Sequence, residues 1–452
     1  MNKNVIVVGG GISGLAAAIY LARGGCSVTL FEKKRHLGGR AITHLRQGYR
    51  FNLGPHAVYR AGIGAKIYRE LGIPIRGGVP KSRGIAFVNG QRYKLPVSPW
   101  SILTTSLLST GAKFEAAALM MKLPAMRTAA LETVTVNQWL EDHVRDAQLR
   151  QVIGALMRVA TYSGDGEGSA QVAVDQLKLA MRGVTYVDEG WQKIVDSLHS
   201  HAVTSGVNFV SSSRVVSVDF DGDEVKGIEL GGLEVLPRND TLSVAMPETA
   251  HDGARGTKLP ATTVILAVDP MTAADLVGPV GFAAAWQTLK PVTLACLDVA
   301  LSRLPNPKAI FALGIDQPYY FSVHSAYAQL TPHRGAMIHV AKYKQTPART
   351  SFDDDDGETT ARANPAARSD EHELEGVLDQ MQPGWRDVVV HRRFLPAMTV
   401  AHALPRPGVP RPAVETPVHG LYLAGDWIGA EGALSDAALA SARTAAKKIL
   451  ES

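Results

Sequence analysis

The sequence predicts an α/β protein. A strand–helix–strand unit opens the chain, a long helical block follows, and a second sheet comes after it. Three observations predict this. Residues 4–8 are a continuous apolar run ending at glycine, residues 13–23 are rich in Ala and Leu, and residues 27–31, Ser-Val-Thr-Leu-Phe, read as a second strand. Strand, helix and strand within about 30 residues make one βαβ unit. From Trp100 to Arg182 strand signals vanish, and Leu, Met and Ala recur at helical spacing in Phe114–Met126 and Trp139–Leu156. Strand-like runs return at 207–210, 214–220 and 225–230, where Gly222 and Gly227 punctuate a meander, and again at 264–268, 292–301, 310–323 and 336–342.

The remaining elements follow from local chemistry. Residues 237–261 are polar and rich in turn formers and predict a surface loop. The run Asp353–Asp356, with its surroundings to Ala367, predicts a solvated acidic loop. Glu371–Met381 predicts a helix stopped at Pro383-Gly384, and 420–424 a last apolar strand. Ser435–Leu450 predicts a last helix, with Ser435 as N-cap, Asp436 in the first turn and Lys447 and Lys448 near its end.

Composition excludes several classes. At 46% hydrophobic and 20% charged, the 452-residue chain is globular and long enough for a sizeable core. Net charge is only +5, with no basic block of five or more, so no nucleic-acid partner is expected. Two cysteines, Cys26 and Cys296, cannot make a disulfide framework or a Cys-based metal site. The histidines lack metal-ligand spacing, so no metal is assigned. No apolar run reaches the ~18 residues of a spanning helix. Val5–Ala22 imitates a signal peptide, but Gly9, Gly10, Gly11 and Gly14 interrupt it, which predicts a cytoplasmic protein.

Gly9-x-Gly11-x-x-Gly14 lies between the first strand and the first helix. One glycine makes a tight turn, one lets the backbone approach a pyrophosphate, and one lets helix and strand pack closely. The helix N-terminus, with Ser13 in its first turn, then offers N–H groups to phosphate. Glu32 falls 18 residues after Gly14, at the end of the second strand, where a carboxylate can accept ribose hydroxyls. It would repel a 2′-phosphate, which disfavours NADP. Lys33 follows, then Gly38-Gly39-Arg40, a second glycine pair that a plain NAD site lacks.

These motifs resemble the extended FAD fingerprint of the flavin amine oxidase superfamily, which includes amine oxidases, protoporphyrinogen oxidases and phytoene desaturases. The resemblance implies that Gly38 and Gly39 pass close to FAD and that Arg40 meets its phosphates or ribose. Gly420-Leu-Tyr-Leu-Ala-Gly-Asp-Trp427 before the last helix looks like the superfamily's C-terminal flavin motif. That implies that Gly425 and Asp426 bond the ribitol or pyrophosphate side. It also places the N–H groups of Ala433 and Leu434 at the flavin N1/C2=O edge. Ser213–Asp219 resembles the strand whose valine backbone meets the adenine, best matched by Val215. The implied fold is a Rossmann-like (GR2-type) FAD-binding domain from 1–78, 188–290 and 405–452. With it goes a discontinuous α+β substrate domain from 79–187, largely helical, and 291–404.

Departures from the amine oxidases point to a branch. Aligned with Leu289–Leu301, the lysine near flavin N5 becomes Ala295, with Lys290 a surface lysine; the aromatic-cage tyrosine becomes Leu434. Ala437 and Ala442 replace helix glycines and would hold that helix slightly away from its neighbours. Gly54-Pro55-His56 resembles the stretch beside the isoalloxazine in the desaturase and protoporphyrinogen-oxidase branches. Pro55 and His56 are therefore expected at the flavin, with His56 the candidate base; a histidine bonded to backbone is the structural alternative. Tyr319, Tyr320 and Phe321 are expected in core packing. The resemblance implies a phytoene desaturase-like enzyme that moves a hydride from a C–H bond of a small apolar or amphipathic substrate to flavin N5. The electron acceptor, oxygen or a quinone, stays open. The alternatives are an amine oxidase releasing hydrogen peroxide and a non-catalytic FAD-binding protein. Residues 98–130 carry Trp100, Ile102, Leu103 and Phe114 with few charges, and suggest peripheral membrane contact.

Overall fold

The structure, a computed structural model, describes residues 3–231, 256–344 and 365–452. The acidic run Asp353–Asp356 and positions 237–255 of the expected loop lie outside these described residues. The end of that loop, Thr257–Pro260, is instead a strand.

Five parallel strands form the first sheet, in the order 208–210, 27–31, 4–8, 263–266 and 421–423. The three central strands, 27–31, 4–8 and 263–266, are largely buried, because both faces of a parallel sheet are covered there, while 208–210 at the edge stays half-exposed. Helices Ile12–Arg23, Gln192–Thr204 and Leu434–Glu451 bury their apolar residues in the same core. Beside it, 215–221, 224–230 and 257–260 form the antiparallel meander.

The second sheet has seven strands, in the order 389–401, 292–301, 336–343, 319–323, 311–314, 85–88 and 91–94. All neighbours are antiparallel except 311–314 with 85–88. The helices Thr110–Lys122, Val136–His143, Ala147–Thr161 and Ala170–Met181 pack on one face, against Leu294, Cys296 and Tyr320. Helix Pro365–Met381 packs on the other, against Ala295, Leu297 and Phe321. Strand alternation decides which residue meets which layer.

Several elements differ from expectation, each for a local reason. The expected strand 310–323 turns between Gly314 and Tyr319 and becomes two. Trp139–Leu156 breaks into two helices, because Asp146 caps the second by accepting from Leu149 N–H at 2.9 Å. The last helix is capped at Ala433, so Ser435 lies inside it. Val389–Ala401, a strand the sequence conceals, runs along the sheet edge. There Pro396 is tolerated, since an edge strand need not donate on both sides. Among the described residues no helix is long and apolar enough to cross a membrane.

Candidate active site

A cavity of about 1340 Å³ runs between the two sheets. That exceeds the ~300–1,000 Å³ of a single small-molecule site and has room for a dinucleotide and a substrate. One end is built by the first βαβ unit. Gly9 sits at φ +106° and makes the turn, and a Cβ there would meet Ala267 O at 2.6 Å. A Cβ on Gly14 would lie 1.9 Å from Gly9 O, so this glycine lets helix and strand touch. A Cβ on Gly11 would meet no protein atom within 4 Å. Gly11 borders the cavity, so what it leaves room for is a ligand. Ser13 lines the same wall.

Glu32 lines the cavity and accepts from the N–H groups of Gly10, at 2.7 Å, and Lys34, at 2.9 Å. Two backbone donors fix the carboxylate and leave lone pairs for ribose hydroxyls. The loop carrying Lys33 then returns across the glycine turn. Gly38 N–H donates to Gly10 O at 2.9 Å, and Gly38 and Gly39 adopt φ of +125° and +55°. Ser213, Arg214 and Val215 complete this wall.

Arg40 joins this end to the last segment. Its guanidinium lies 2.9 Å from the Asp426 carboxylate and donates to Val400 O at 2.7 Å. Asp426 is buried, and it also accepts from His402 N–H at 3.0 Å and contacts His402 Nδ1 at 2.9 Å. Burial alone would raise its pKa; Arg40 and His402 outweigh that and hold the carboxyl well below the usual range. Arg411 donates to Asp426 O and Gly432 O, and Ser441 holds both backbone groups of Gly425. His402, Arg411 and Ser441 carry no sequence motif; only their contacts disclose them.

Ala433 is buried at the start of the last helix, and Leu434 lines the cavity at φ +56°. A branched side chain in that region costs ~1–3 kcal/mol, and such strain gathers at functional sites. In the helix that follows, Ala437 and Ala442 are fully buried, facing its neighbours.

Pro55 and His56 line the middle of the cavity. The His56 ring packs edge-on against Trp191, and Nδ1 is 3.1 Å from Gly54 O. Nδ1–H therefore donates to backbone, leaving Nε2 with its lone pair. Burial lowers its pKa to about 4, so the ring is neutral at physiological pH. The backbone-bonded geometry and the cavity position occur together.

Beyond His56 the walls are side chains of the second sheet and its helices, among them Leu53, Tyr59, Leu119, Leu156, Tyr162 and Tyr320. Tyr59 donates to Ala160 O at 2.7 Å, and Tyr320 O–H is 3.0 Å from His324 Nε2. The expected core cluster is thus divided: Tyr320 faces the cavity, while Phe321 faces helix 365–381. Ala295 shares Phe321's side. It is therefore turned away from the cavity, contrary to its expected place by flavin N5. Lys290 is exposed and off the cavity wall.

Cys296, Asp298 and His339 gather, fully buried, within 4.8 Å of one another. Asp298 is already committed, to His339 Nδ1 at 2.6 Å and Arg393 at 2.6 Å. Those partners outweigh burial and keep its carboxyl ionised, while burial, then Asp298, pushes the Cys296 thiol far up. Asp298, ion-paired with Arg393 and hydrogen-bonded to His339, makes the trio a structural brace rather than a set of free ligands.

Residues 12–291 match the family described as flavin containing amine oxidoreductase. The chain belongs to this family. As a flavin-containing oxidoreductase it uses FAD, and the open space at Gly11, the glycine crossing and the anchored Glu32 fit that cofactor. A 4,4'-diaponeurosporene oxygenase of Staphylococcus aureus (strain USA300) is 41% identical over 68 residues, 15% of this chain and 14% of that protein. The curated relatives are thus matched over a small part of their length. An oxidoreductase from Methanosarcina mazei shares the fold, with a TM-score of 0.72 at 17% identity over all of both chains. Cyclohexylamine oxidase from Brevibacterium oxydans does so with a TM-score of 0.64 at 14% identity, covering 100% of this chain and 99% of that one.

Proposed function

We propose that this FAD-dependent oxidoreductase dehydrogenates a C–H bond of a largely apolar substrate, in the manner of the phytoene desaturases, leaving a new C=C bond. One observation carries the reading. Among the described residues beyond His56, the cavity wall has no carboxylate, and the hydroxyls of Tyr59 and Tyr320 already have partners. An apolar chain gains ~25 cal/mol per Å² buried there, whereas a cationic amine would be desolvated without a counter-charge.

Bound FAD supplies the hydride acceptor, flavin N5. Gly9, Gly11, Ser13 and Gly14 would cradle the pyrophosphate, with Gly38, Gly39 and Arg40 closing over it. Glu32 and Lys33 would hold the adenosine ribose and Val215 the adenine. Gly425 and Asp426 would hold the ribitol side, Pro55 would back the ring, and Ala433 and Leu434 would present helix N–H groups to its N1 edge. His56, neutral and with Nε2 free of its Gly54 bond, would take the proton the substrate loses.

A second reading, amine oxidation to an imine and hydrogen peroxide, draws its support from the comparisons, which include the structure of cyclohexylamine oxidase. With no carboxylate to meet an ammonium, that reading requires the free base. Anaerobic mixing with an acyclic polyene and with cyclohexylamine separates the two. Bleaching of the flavin band by the polyene alone supports desaturation. Bleaching by the amine, with peroxide on re-aeration and a rate that rises with the free-base fraction, establishes amine oxidation in its place.

A further inference from the structure

The substrate end of the cavity opens beside the four most exposed large apolar side chains among the described residues. Helix Thr110–Lys122 is apolar on opposite faces. Its inner face brings Ala116 and Leu119 to the cavity; on its outer face, seven residues apart, Phe114 and Met121 are 74% and 76% exposed. The short helix Pro99–Thr104 repeats the arrangement. Ile102 is buried on the cavity wall, while Trp100 and Leu103 are 72% and 66% exposed. Lys113 Nζ donates to Leu103 O at 3.1 Å, tying the two helices into one patch.

Charge follows the same surface. Residues 79–132 hold seven Lys and Arg against two Glu, a net +5 equal to that of the whole chain. Lys81 and Arg83 are exposed and also line the cavity. Leu95 N–H donates to Gly84 O at 3.0 Å, which sets that segment against the approach to Pro99. A cavity mouth, a basic rim and an aromatic–aliphatic patch therefore coincide. Scattered exposed apolar residues need no explanation, but a contiguous patch on one face marks an interaction surface.

We propose that this patch docks on an anionic lipid bilayer, and that substrate passes from the acyl region between Lys81–Arg83 and the two helices into the cavity. Apolar and indole side chains flanked by Lys and Arg are the chemistry of the bilayer interface. A second copy of the chain is a poor occupant, since a two-fold contact would set one basic patch against another. No described helix can span, so the contact is interfacial. The route rests on the apolar-substrate reading; the docking does not.

Flotation of the FAD-loaded protein with vesicles tests the docking without any substrate. With phosphatidylcholine containing roughly a third phosphatidylglycerol we expect binding, and with phosphatidylcholine alone at least tenfold less. Salt should weaken it, because the Debye length falls to ~3 Å at 1 M. Trp emission should shift to the blue on binding, and Trp100→Phe should lose most of that shift. Phe114→Ser/Met121→Ser should cut binding at least tenfold while keeping flavin content and far-UV circular dichroism. Absence of binding to anionic vesicles overturns the proposal, as does wild-type binding by a double variant that keeps its flavin. Lipid-free self-association abolished by the double variant would reassign the patch to a contact between copies. Amine turnover would refute the substrate reading and leave the docking standing.

Discussion

At the nucleotide end of the cavity, Gly9, Gly11, Gly14, Gly38 and Gly39 act through backbone, and a stretch of 31 residues contains them all. At the substrate end the walls are side chains from residues 53–59, 97–123, 149–162 and 177–186, and from strands around 320 and 395–400. The first end is local, because a phosphate needs N–H groups and close approach, which one turn and one helix provide. The second is assembled, because enclosing an apolar molecule needs area from many directions. The teaching is that cofactor identity can be read from spacing, while substrate identity waits for packing.

The sharpest way to break this contrast compares two glycines of one motif. Gly14→Val should prevent the first unit from closing, since its Cβ would sit 1.9 Å from Gly9 O; little soluble yellow protein should be recovered. The Cβ of Gly11→Ala meets no protein atom within 4 Å, so the chain should fold, give wild-type far-UV circular dichroism, and lose FAD affinity at least tenfold in flavin titrations. Equal behaviour of the two variants would mean that Gly11 faces no ligand.

Asp426→Ala tests the tie between the ends. It removes the buried partner of Arg40 and His402. We expect a loss of about 3–5 kcal/mol, seen as a lower denaturation midpoint and faster FAD release on warming. Loss of FAD without loss of stability would confine Asp426 to the cofactor.

The smallest effect is a pH dependence with two opposing parts. Asp436, in the first turn of the last helix, has its pKa pushed up to about 7 by burial, which outweighs the N–H groups of Gly64 and Ile63. The folded state then holds a proton that the unfolded chain releases near pH 4. That stability is present below about pH 4 and is lost as pH rises towards 7, on the order of 2–4 kcal/mol. His56 acts oppositely. Its folded pKa of about 4 lies below the unfolded value, so stability is lost as pH falls from about 6.5 to 4. Asp436→Asn should flatten the fall between pH 4 and 7, and His56→Gln should remove the acid-side loss, both read in urea melts across pH. An Asp436→Asn profile parallel to wild type would show that the carboxyl titrates normally.

The separation of Ala295 from the cavity shows why the substrate end resists sequence reading. Laying 289–301 on a strand is correct, but residues one apart face opposite layers. That strand also shifts register against 389–401 between Leu294 and Cys296, so counting from a motif cannot decide the face. Tyr320 and Phe321 make the same point, adjacent in sequence and on opposite sides of the sheet. By contrast Glu32 needs no counting across a sheet, because it follows its strand directly, and Gly38 lies only six residues further along the same loop.

By itself the sequence determined the βαβ unit, the glycine turn, the carboxylate that ends the second strand and the Gly425-Asp426 turn before the last helix, because each depends on neighbours a few residues away. The helical texture of 100–182 was legible for the same reason. Only the tertiary structure decided that Asp426 is held by Arg40 and His402, that Ser441 grips Gly425, and that Asp298 is locked between His339 and Arg393. It also turned Tyr320 inward and Phe114 outward. These pairings join residues from 16 to 386 positions apart, on different elements, or set opposite faces of one element. Burial and register fix them, and both are set by the whole fold rather than by spacing along the chain.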